Sequence, residues 1–465
     1  MIFKQFYLSC LAHASYVIGD EKTGKAVVVD PRRDIEPYLE FAKEHGLWIE
    51  HVMLTHFHAD FLAGHIELRN KTGAKIYVGA AGKTEFEKTP MVDGKSLSIG
   101  DVRLEFLSTP GHTPESVSIV VYDVGQDPKV PVSVLTGDTL FVGDVGRPDL
   151  MTAIGITAPE LAEQLYKSLH DKLLKLPDET LVYPAHGAGS LCGKALGSEN
   201  HSTIGEQRAT NYALQPMSVN EFVTMLTSNL PEAPPYFSFD AELNQQDRPV
   251  LGENLSKQLV PLALDDVLHL RNSGAQILDT RHPEQFAASH LRGALNIGLN
   301  GKFATWAGYV VDRNKSVVLV GEPGEEEQAL IRLGRIGFDD LVVGYLDGGM
   351  QAASGRDELL SSFGRVTVEE FDRLRSQPDA PTIIDVRGVG EWETRSVEGN
   401  LNLPLQQLLN RLDEVPRDRP LVLYCKGAYR SAIAASILQR DGIENVVDLL
   451  GGFDAWDAEH PLATA

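Results

Sequence analysis

Along the first half of the chain, short apolar runs rich in β-branched residues repeatedly end in a histidine or an aspartate. Ile49–Thr55 leads into His56, His58 and Asp60, Val102–Thr109 into His112, Val132–Thr136 into Asp138, and Leu181–Tyr183 into His186. Runs of this length predict buried strands. In the second half, similar runs alternate with helical patterns, which predicts parallel sheets covered by helices. That half also repeats itself. Asp279–Arg281 returns as Asp385–Arg387 and Gly293–Ile297 as Gly399–Leu403, both at a spacing of 106 residues. The strand pattern Val317–Val320 returns as Leu421–Tyr424, and the glycine pair Gly348–Gly349 as Gly451–Gly452. A period of this size exceeds the ~20–50 residues of solenoid units, so two copies of one small domain are predicted. Pro231–Pro235 and the polar stretch through Asn254 read as a linker. The resulting domains are 1–240, 255–355 and 363–465. Ser218 with Glu221, and Thr367 with Glu370, have capping-box spacing and should open helices.

Composition narrows the function. With 43% hydrophobic and 23% charged residues, a disordered or fibrous chain is excluded. Sixty-five acidic against 42 basic residues give a net charge of −23, which argues against nucleic-acid binding. An anionic substrate would need locally placed Arg or Lys. Cys10, Cys192 and Cys425 are too few and too dispersed for a disulfide framework, so a reducing compartment is expected. The N-terminal stretch carries only Lys4 before a short mixed-polarity run, and no segment approaches the ~18 apolar residues of a membrane span. A soluble, cytoplasmic protein is expected.

Side chains at the loop ends of neighbouring strands converge on one point, and His and Asp are the ligands that borderline divalent metals prefer. Four such strand ends in order predict a metal site. The set resembles the metallo-β-lactamase superfamily, whose signature runs H-x-H-x-D-H, then His, then Asp, then a final His. The resemblance covers roughly residues 1–210 and implies an αββα sandwich with the site at the sheet edges. Phe61 departs from it, standing where the two-zinc hydrolases carry a histidine. Loss of that ligand weakens a second metal position. What remains suits one metal held by two His and one carboxylate, the arrangement of non-haem Fe(II) oxygenases.

Similarity to the persulfide dioxygenase branch implies one Fe(II) on His56, His112 and Asp138, with zinc as the alternative. His58, Asp60 and His186 would then orient ligands, water or substrate, Asp60 with a catalytic part; His58 stays open as a ligand. The stretch Gly137–Asp149 matches the same branch and implies a role for Arg147 in the cavity, the alternative being an ion pair with Asp144 or Asp149. Arg208 is a candidate for a thiol carrier's carboxylate or phosphate. Cys192 lies either near the substrate entrance or as a buried structural thiol, and Cys10 is expected in the core.

In the last copy, Leu421–Tyr424 delivers Cys425 to a tight loop, after which Ser431–Arg440 reads as a helix. Backbone N–H groups and the helix dipole stabilise a thiolate there. Lys426 and Arg430 add positive charge that favours anionic sulfur substrates. With Asp385–Arg387, the six-residue loop Cys425–Arg430 and Gly451–Gly452, residues 365–465 resemble a rhodanese. The resemblance implies that Cys425 takes up a sulfane sulfur as a persulfide and passes it on. In the first copy Gly321 stands opposite Cys425 and Glu322–Glu327 is acidic, so no transfer can occur there. That copy reads as a pseudo-rhodanese that spaces, docks or dimerises.

The whole chain is similar to bacterial persulfide dioxygenase and rhodanese fusions of sulfide detoxification. This implies oxidation of glutathione or coenzyme A persulfide by O2 to sulfite and thiol, coupled to sulfur transfer to or from thiosulfate. A zinc thioester hydrolase of the glyoxalase II type shares the ligand set and is the rival reading; a sulfur-carrying adaptor using Cys425 alone is a third. Expected partners are the thiol persulfide, O2, sulfite and thiosulfate, with no nucleic acid or membrane, in a homo-oligomer.

Overall fold

The computed structural model describes residues 1–150, 155–228, 230 and 232–461. Pro231 of the expected linker and the last four residues of the expected third domain lie outside them. The chain divides into two units, Met1–Glu253 with Gly334–Gly337, and Asn254–Leu333 with Phe338–Ala465.

In the first unit, β1 (Ile2–Leu8), β2 (His13–Asp20), β3 (Lys25–Val29), β4 (Trp48–Leu54), β5 (Lys75–Gly79) and β6 (Thr89–Met91) form one sheet in that order. The second sheet comprises β7 (Ser96–Ile99), β8 (Val102–Ser108), β9 (Val117–Asp123), β10 (Ser133–Gly137), β11 (Leu181–Pro184) and β12 (Ser202–Thr203), again side by side. Strands β2, β9 and β10 are buried along their whole length, which is why they are apolar without alternation. Val27, Val29 and Met53 of the first sheet share one core with Leu104, Phe106 and Ile119 of the second. A further apolar cluster joins Val120 and Val134 to Leu165 and Phe222 of the helices Ala158–Lys167 and Val219–Thr227. Helices Glu36–Glu44 and His65–Thr72 lie against β4. The architecture is the expected αββα sandwich. The Ser218–Glu221 capping box opens its helix as predicted.

The polar stretch read as a linker is in part a structural clamp. The first unit continues to Glu253, and Phe237–Leu243 is helical. Buried Asn244 donates Nδ2 to the carbonyls of His58 and Phe61, both at 2.8 Å, and accepts from the Ala63 N–H at 2.9 Å. Arg248 donates to Glu67 at 2.7 Å. Buried backbone groups of an irregular loop need polar partners, so polarity here marks packing.

The second unit repeats one design. Its first five-stranded sheet runs Pro261–Leu262, Val342–Leu346, Val317–Val320, Gln276–Asp279, Leu295–Asn296, all parallel. The second runs Gly364–Val366, Val446–Leu449, Leu421–Tyr424, Thr382–Asp385, Leu401–Asn402, also all parallel. Thr367 caps the helix Val368–Arg375 by accepting from the Glu370 N–H, as its spacing predicts. Among the described residues no helix is long and apolar enough to cross a membrane.

Candidate metal centre and thiol loop

The strand ends of the sandwich bring six ligand-type side chains together. His56, His58 and Asp60 follow β4, His112 follows β8, Asp138 directly follows β10, and His186 follows β11. All six are buried. Gly137, at φ 54°, lets β10 approach β4; a Cβ there would come 2.6 Å from Thr55 Oγ1. The ligand atoms of His56, His112 and Asp138 lie within 4.8 Å of one another, and so do those of His58, Asp60 and His186, and those of Asp138, His186 and Cys192.

Hydrogen bonds fix which ring nitrogens face the cluster. The Thr55 hydroxyl donates to Asp30 at 2.8 Å and therefore accepts from His56 Nδ1 at 3.0 Å. His112 Nδ1 donates to the Arg147 carbonyl at 2.9 Å. Both rings thus keep an Nε2 lone pair, 3.7 and 3.5 Å from Asp138 Oδ2, and His56 Nε2 has no hydrogen-bond partner. Two lone pairs facing a buried carboxylate are the donor set of a divalent cation, with each ring oriented from behind. The titration directions agree. Burial, reinforced by His58, lowers the His56 pKa well below its usual value, which keeps the ring neutral. Burial opposes ionisation of Asp138, yet His186, hydrogen-bonded to it, holds its carboxyl far below the usual range.

His186 is clamped, with Nδ1 2.8 Å from Asp138 Oδ1 and Nε2 3.0 Å from Asp60 Oδ2. Burial would lower its pKa, but the two carboxylates raise it well above the ordinary value. His58 places Nε2 3.1 Å from Asp30 Oδ1, while its Nδ1 and Asp60 Oδ1 are buried without hydrogen-bond partners. The fully buried Phe61 ring packs 4.4 Å from His58 and 4.0 Å from His13, centroid to centroid. His13, at the start of β2 and bridged to His186, escaped the sequence reading; a lone histidine in an apolar strand gives no signal.

Buried Arg147 engages Asp149 through two hydrogen bonds of 2.7 and 2.6 Å, while its carbonyl orients His112. Cys192 is buried beside Asp138 and His186, and burial followed by Asp60 and Asp138 raises its pKa well above the usual thiol range. Arg208 lies on the helix Ile204–Thr210 and pairs with Asp178 at 3.0 Å, outside the three groupings. Cys10, expected in the core, is only half-buried in the turn after β1, with Arg335 Nη1 3.6 Å from its sulfur.

In the second unit Cys425 leaves the strand Leu421–Tyr424 and is 1% exposed. Ala428 takes φ 65°, a conformation uncommon without glycine, just before the helix Tyr429–Arg440. Arg430 grips Glu391 with two hydrogen bonds, 2.6 and 2.8 Å. Ser431 Oγ donates to Cys425 Sγ at 3.5 Å, and Lys426 is exposed. Gly452 has φ 60°, and a Cβ there would collide with the Cys425 carbonyl, which explains the glycine pair. Glu391 and Ser431 were missed in the sequence, although Ser431 directly follows Arg430.

The metallo-beta-lactamase superfamily profile matches residues 8–186, and the rhodanese-like domain profile matches 263–355 and 367–459. A solved metallo-beta-lactamase from Staphylococcus aureus subsp. aureus COL superposes with TM-score 0.66 at 34% identity, covering 74% of this chain and 98% of that one. The chain belongs to the metallo-β-lactamase superfamily, and two rhodanese-like domains follow that fold in the sequence. Within the superfamily it is similar to mitochondrial persulfide dioxygenase ETHE1 of Bos taurus, 32% identical over 225 residues, 47% of this chain and 78% of the relative. It is also similar to the cytoplasmic hydroxyacylglutathione hydrolase of Arabidopsis thaliana, 36% identical over 186 residues, 39% of this chain and 67% of the relative. The superfamily match covers the β strands that carry His56, His112, Asp138 and His186, so those side chains stand on its shared scaffold.

Proposed function

We propose that this protein oxidises a low-molecular-weight thiol persulfide with O2 at a single non-haem Fe(II) ion and moves sulfane sulfur through Cys425. The observation that carries the reading is the buried grouping of His56, His112 and Asp138, together with Phe61, which stands where two-zinc hydrolases have a histidine and packs on His58 of the neighbouring grouping. The resemblance to persulfide dioxygenases and the fused rhodanese-like domains support it. His56, His112 and Asp138 would hold the Fe(II) ion, which would supply the binding and activation of sulfur and O2.

The chain's own residues do the rest. Thr55 and the Arg147 carbonyl keep His56 and His112 turned toward the ion by holding their Nδ1 protons. His186 holds Asp138 through Nδ1, and Asp60, with one buried unpartnered oxygen, is placed to hold a water or a proton. Overall, RSSH, O2 and H2O give RSH, sulfite and two protons, with glutathione or coenzyme A as the carrier R. At Cys425 the outer sulfur of the cysteine persulfide bonds to sulfite, giving thiosulfate with the Cys425 thiolate as leaving group; the reverse supplies persulfide. Exposed Lys426 supplies the positive charge that anionic sulfur species need, while Glu391 holds the Arg430 guanidinium in place and offsets part of its charge. The proposed setting is cytoplasmic sulfide detoxification.

The test is O2 uptake by the iron-loaded protein with glutathione persulfide, beside thioester cleavage by the zinc-loaded protein. Persulfide-dependent O2 consumption is expected. A second reading, a zinc thioester hydrolase, is favoured by the grouping of His58, Asp60 and His186 and by the hydroxyacylglutathione hydrolase relative. Thioester cleavage without O2 uptake would establish it instead.

A further inference from the structure

Beneath the Cys425 loop lies a buried carboxyl that the sulfur-transfer reading does not use. Asp448, in the strand Val446–Leu449, is 0% exposed, and its Oδ1 has no hydrogen-bond partner. Its strand neighbour is Leu423, two residues before Cys425. The Ser431 hydroxyl is its polar neighbour on the helix side, and the same hydroxyl touches Cys425 Sγ at 3.5 Å. The Ser431 hydroxyl thus touches the thiol and neighbours the carboxyl, whose other oxygen faces Arg365. Leaving a buried carboxyl oxygen unpaired is costly.

The first rhodanese-like copy makes the arrangement informative. There Tyr345 pairs with Leu319 as Asp448 pairs with Leu423, and each stands three residues before its glycine pair. Counting from Gly321 as from Cys425 puts Glu327 at the Ser431 step. The copy without the thiol thus lacks both the buried aspartate and the serine, although the frame around them is the same.

We propose that Asp448, acting through the Ser431 hydroxyl, holds the proton that Cys425 surrenders when its sulfur becomes a nucleophile. The inference rests on Cys425 being the sulfur-transfer nucleophile. In the step, the thiol S–H bond breaks as its proton passes to Ser431 Oγ, while the Ser431 proton passes to the Asp448 carboxylate, leaving a neutral carboxyl and a thiolate. Negative charge moves from carboxylate to sulfur, and no other reactant is needed. When the thiol reforms, the protons return by the same path. Asp448 is a positioning residue; Ser431 touches the reacting sulfur.

The groups around the carboxyl suit the task. Arg365 Nε, on the strand Gly364–Val366, is 3.3 Å from Asp448 Oδ2, and Glu284 stands behind that guanidinium at 3.2 Å. From the helix comes Ser431, which also touches Cys425 at the neighbouring strand end. Burial raises the Asp448 pKa to about 7, against the opposing pulls of Ser431 and Arg365. A group poised near neutral pH both takes and returns a proton efficiently.

The experiment is the rate of Cys425 alkylation by iodoacetamide across pH in the full chain, resolved from Cys10 and Cys192 by peptide mass spectrometry. Two groups sharing protons titrate as a pair, so the unmodified protein should show two inflections. Asp448→Asn should leave one. Ser431→Ala, which keeps the carboxyl but cuts its path to sulfur, should slow alkylation near pH 7 by about tenfold. It carries the test alone should Asp448→Asn not fold. Two inflections persisting in Asp448→Asn, or a Ser431→Ala profile equal to that of the unmodified protein, would overturn the proposal. Failure of the underlying reading looks different: Cys425→Ser would then still transfer sulfur from thiosulfate.

Discussion

In each rhodanese-like copy an arginine folds back on the aspartate two residues before it. Arg281 bonds Asp279 at 3.0, 3.1 and 2.6 Å, and Arg387 bonds Asp385 at 3.0, 3.1 and 2.7 Å. Asn296 donates to the carbonyls of Asp279 and Arg281, and Asn402 to those of Asp385 and Arg387. Gly349 lies against the Gly321 carbonyl as Gly452 lies against that of Cys425. The copies part most clearly in what the frame carries at the loop. One holds Cys425 with Arg430, Glu391 and Ser431 around it; the other holds Gly321 and a run of glutamates. The frame is thus set by backbone contacts of a few buried polar residues, and the chemistry by a six-residue loop.

The sharpest way to break this comparison is to exchange the loops' defining residue. Cys425→Ser should reduce thiocyanate formation from thiosulfate and cyanide to background while sparing O2 uptake with added persulfide. Gly321→Cys should gain no transfer, because the acidic loop and the missing arginine leave its sulfur unsupported. Transfer by that variant would show that the frame alone suffices. Arg430→Lys should lower transfer about tenfold, since an ammonium cannot reproduce the two-pronged grip on Glu391.

Two further tests concern the frame. His290 of the first copy is buried against Phe286, with ring centroids 3.8 Å apart, and burial lowers its pKa from 6.5 to about 4. The position 106 residues later is Ser396. Below pH 6.5 the unfolded chain takes up the proton that the folded ring refuses, so the first copy should lose stability as pH falls toward 4. The loss should reach about 2 kcal/mol by pH 5 in urea unfolding and vanish in His290→Phe. The smallest effect comes from Asn296→Ala and Asn402→Ala. Each removes a side-chain donor from two carbonyls, of which that of Asp279 or Asp385 keeps the Ile297 or Leu403 N–H, and should cost about 1 kcal/mol, more for Asn296, which is the more buried.

Much of this was legible in the chain itself. The strand-end histidines and aspartates stand out because strands deliver their ends to one edge, and the duplication stands out because turns and frame residues recur at fixed spacing. Asn244 and Arg248 were illegible because polar residues in an irregular stretch look the same whether they face water or satisfy a buried loop. Asp448 was hidden for the opposite reason, a carboxyl set in an apolar strand. For Arg147 the sequence left open a cavity role or an ion pair; the guanidinium engages Asp149. Glu391 lies 39 residues from Arg430, and only the fold brings them together.

The claim on which the account turns is that Phe61 leaves room for one metal ion. Anaerobic titration of the full chain with Fe(II), read as bound iron per chain, tests it most directly. One equivalent is predicted, rising toward two in Phe61→His. Two tightly bound equivalents in the unmodified protein would contradict it.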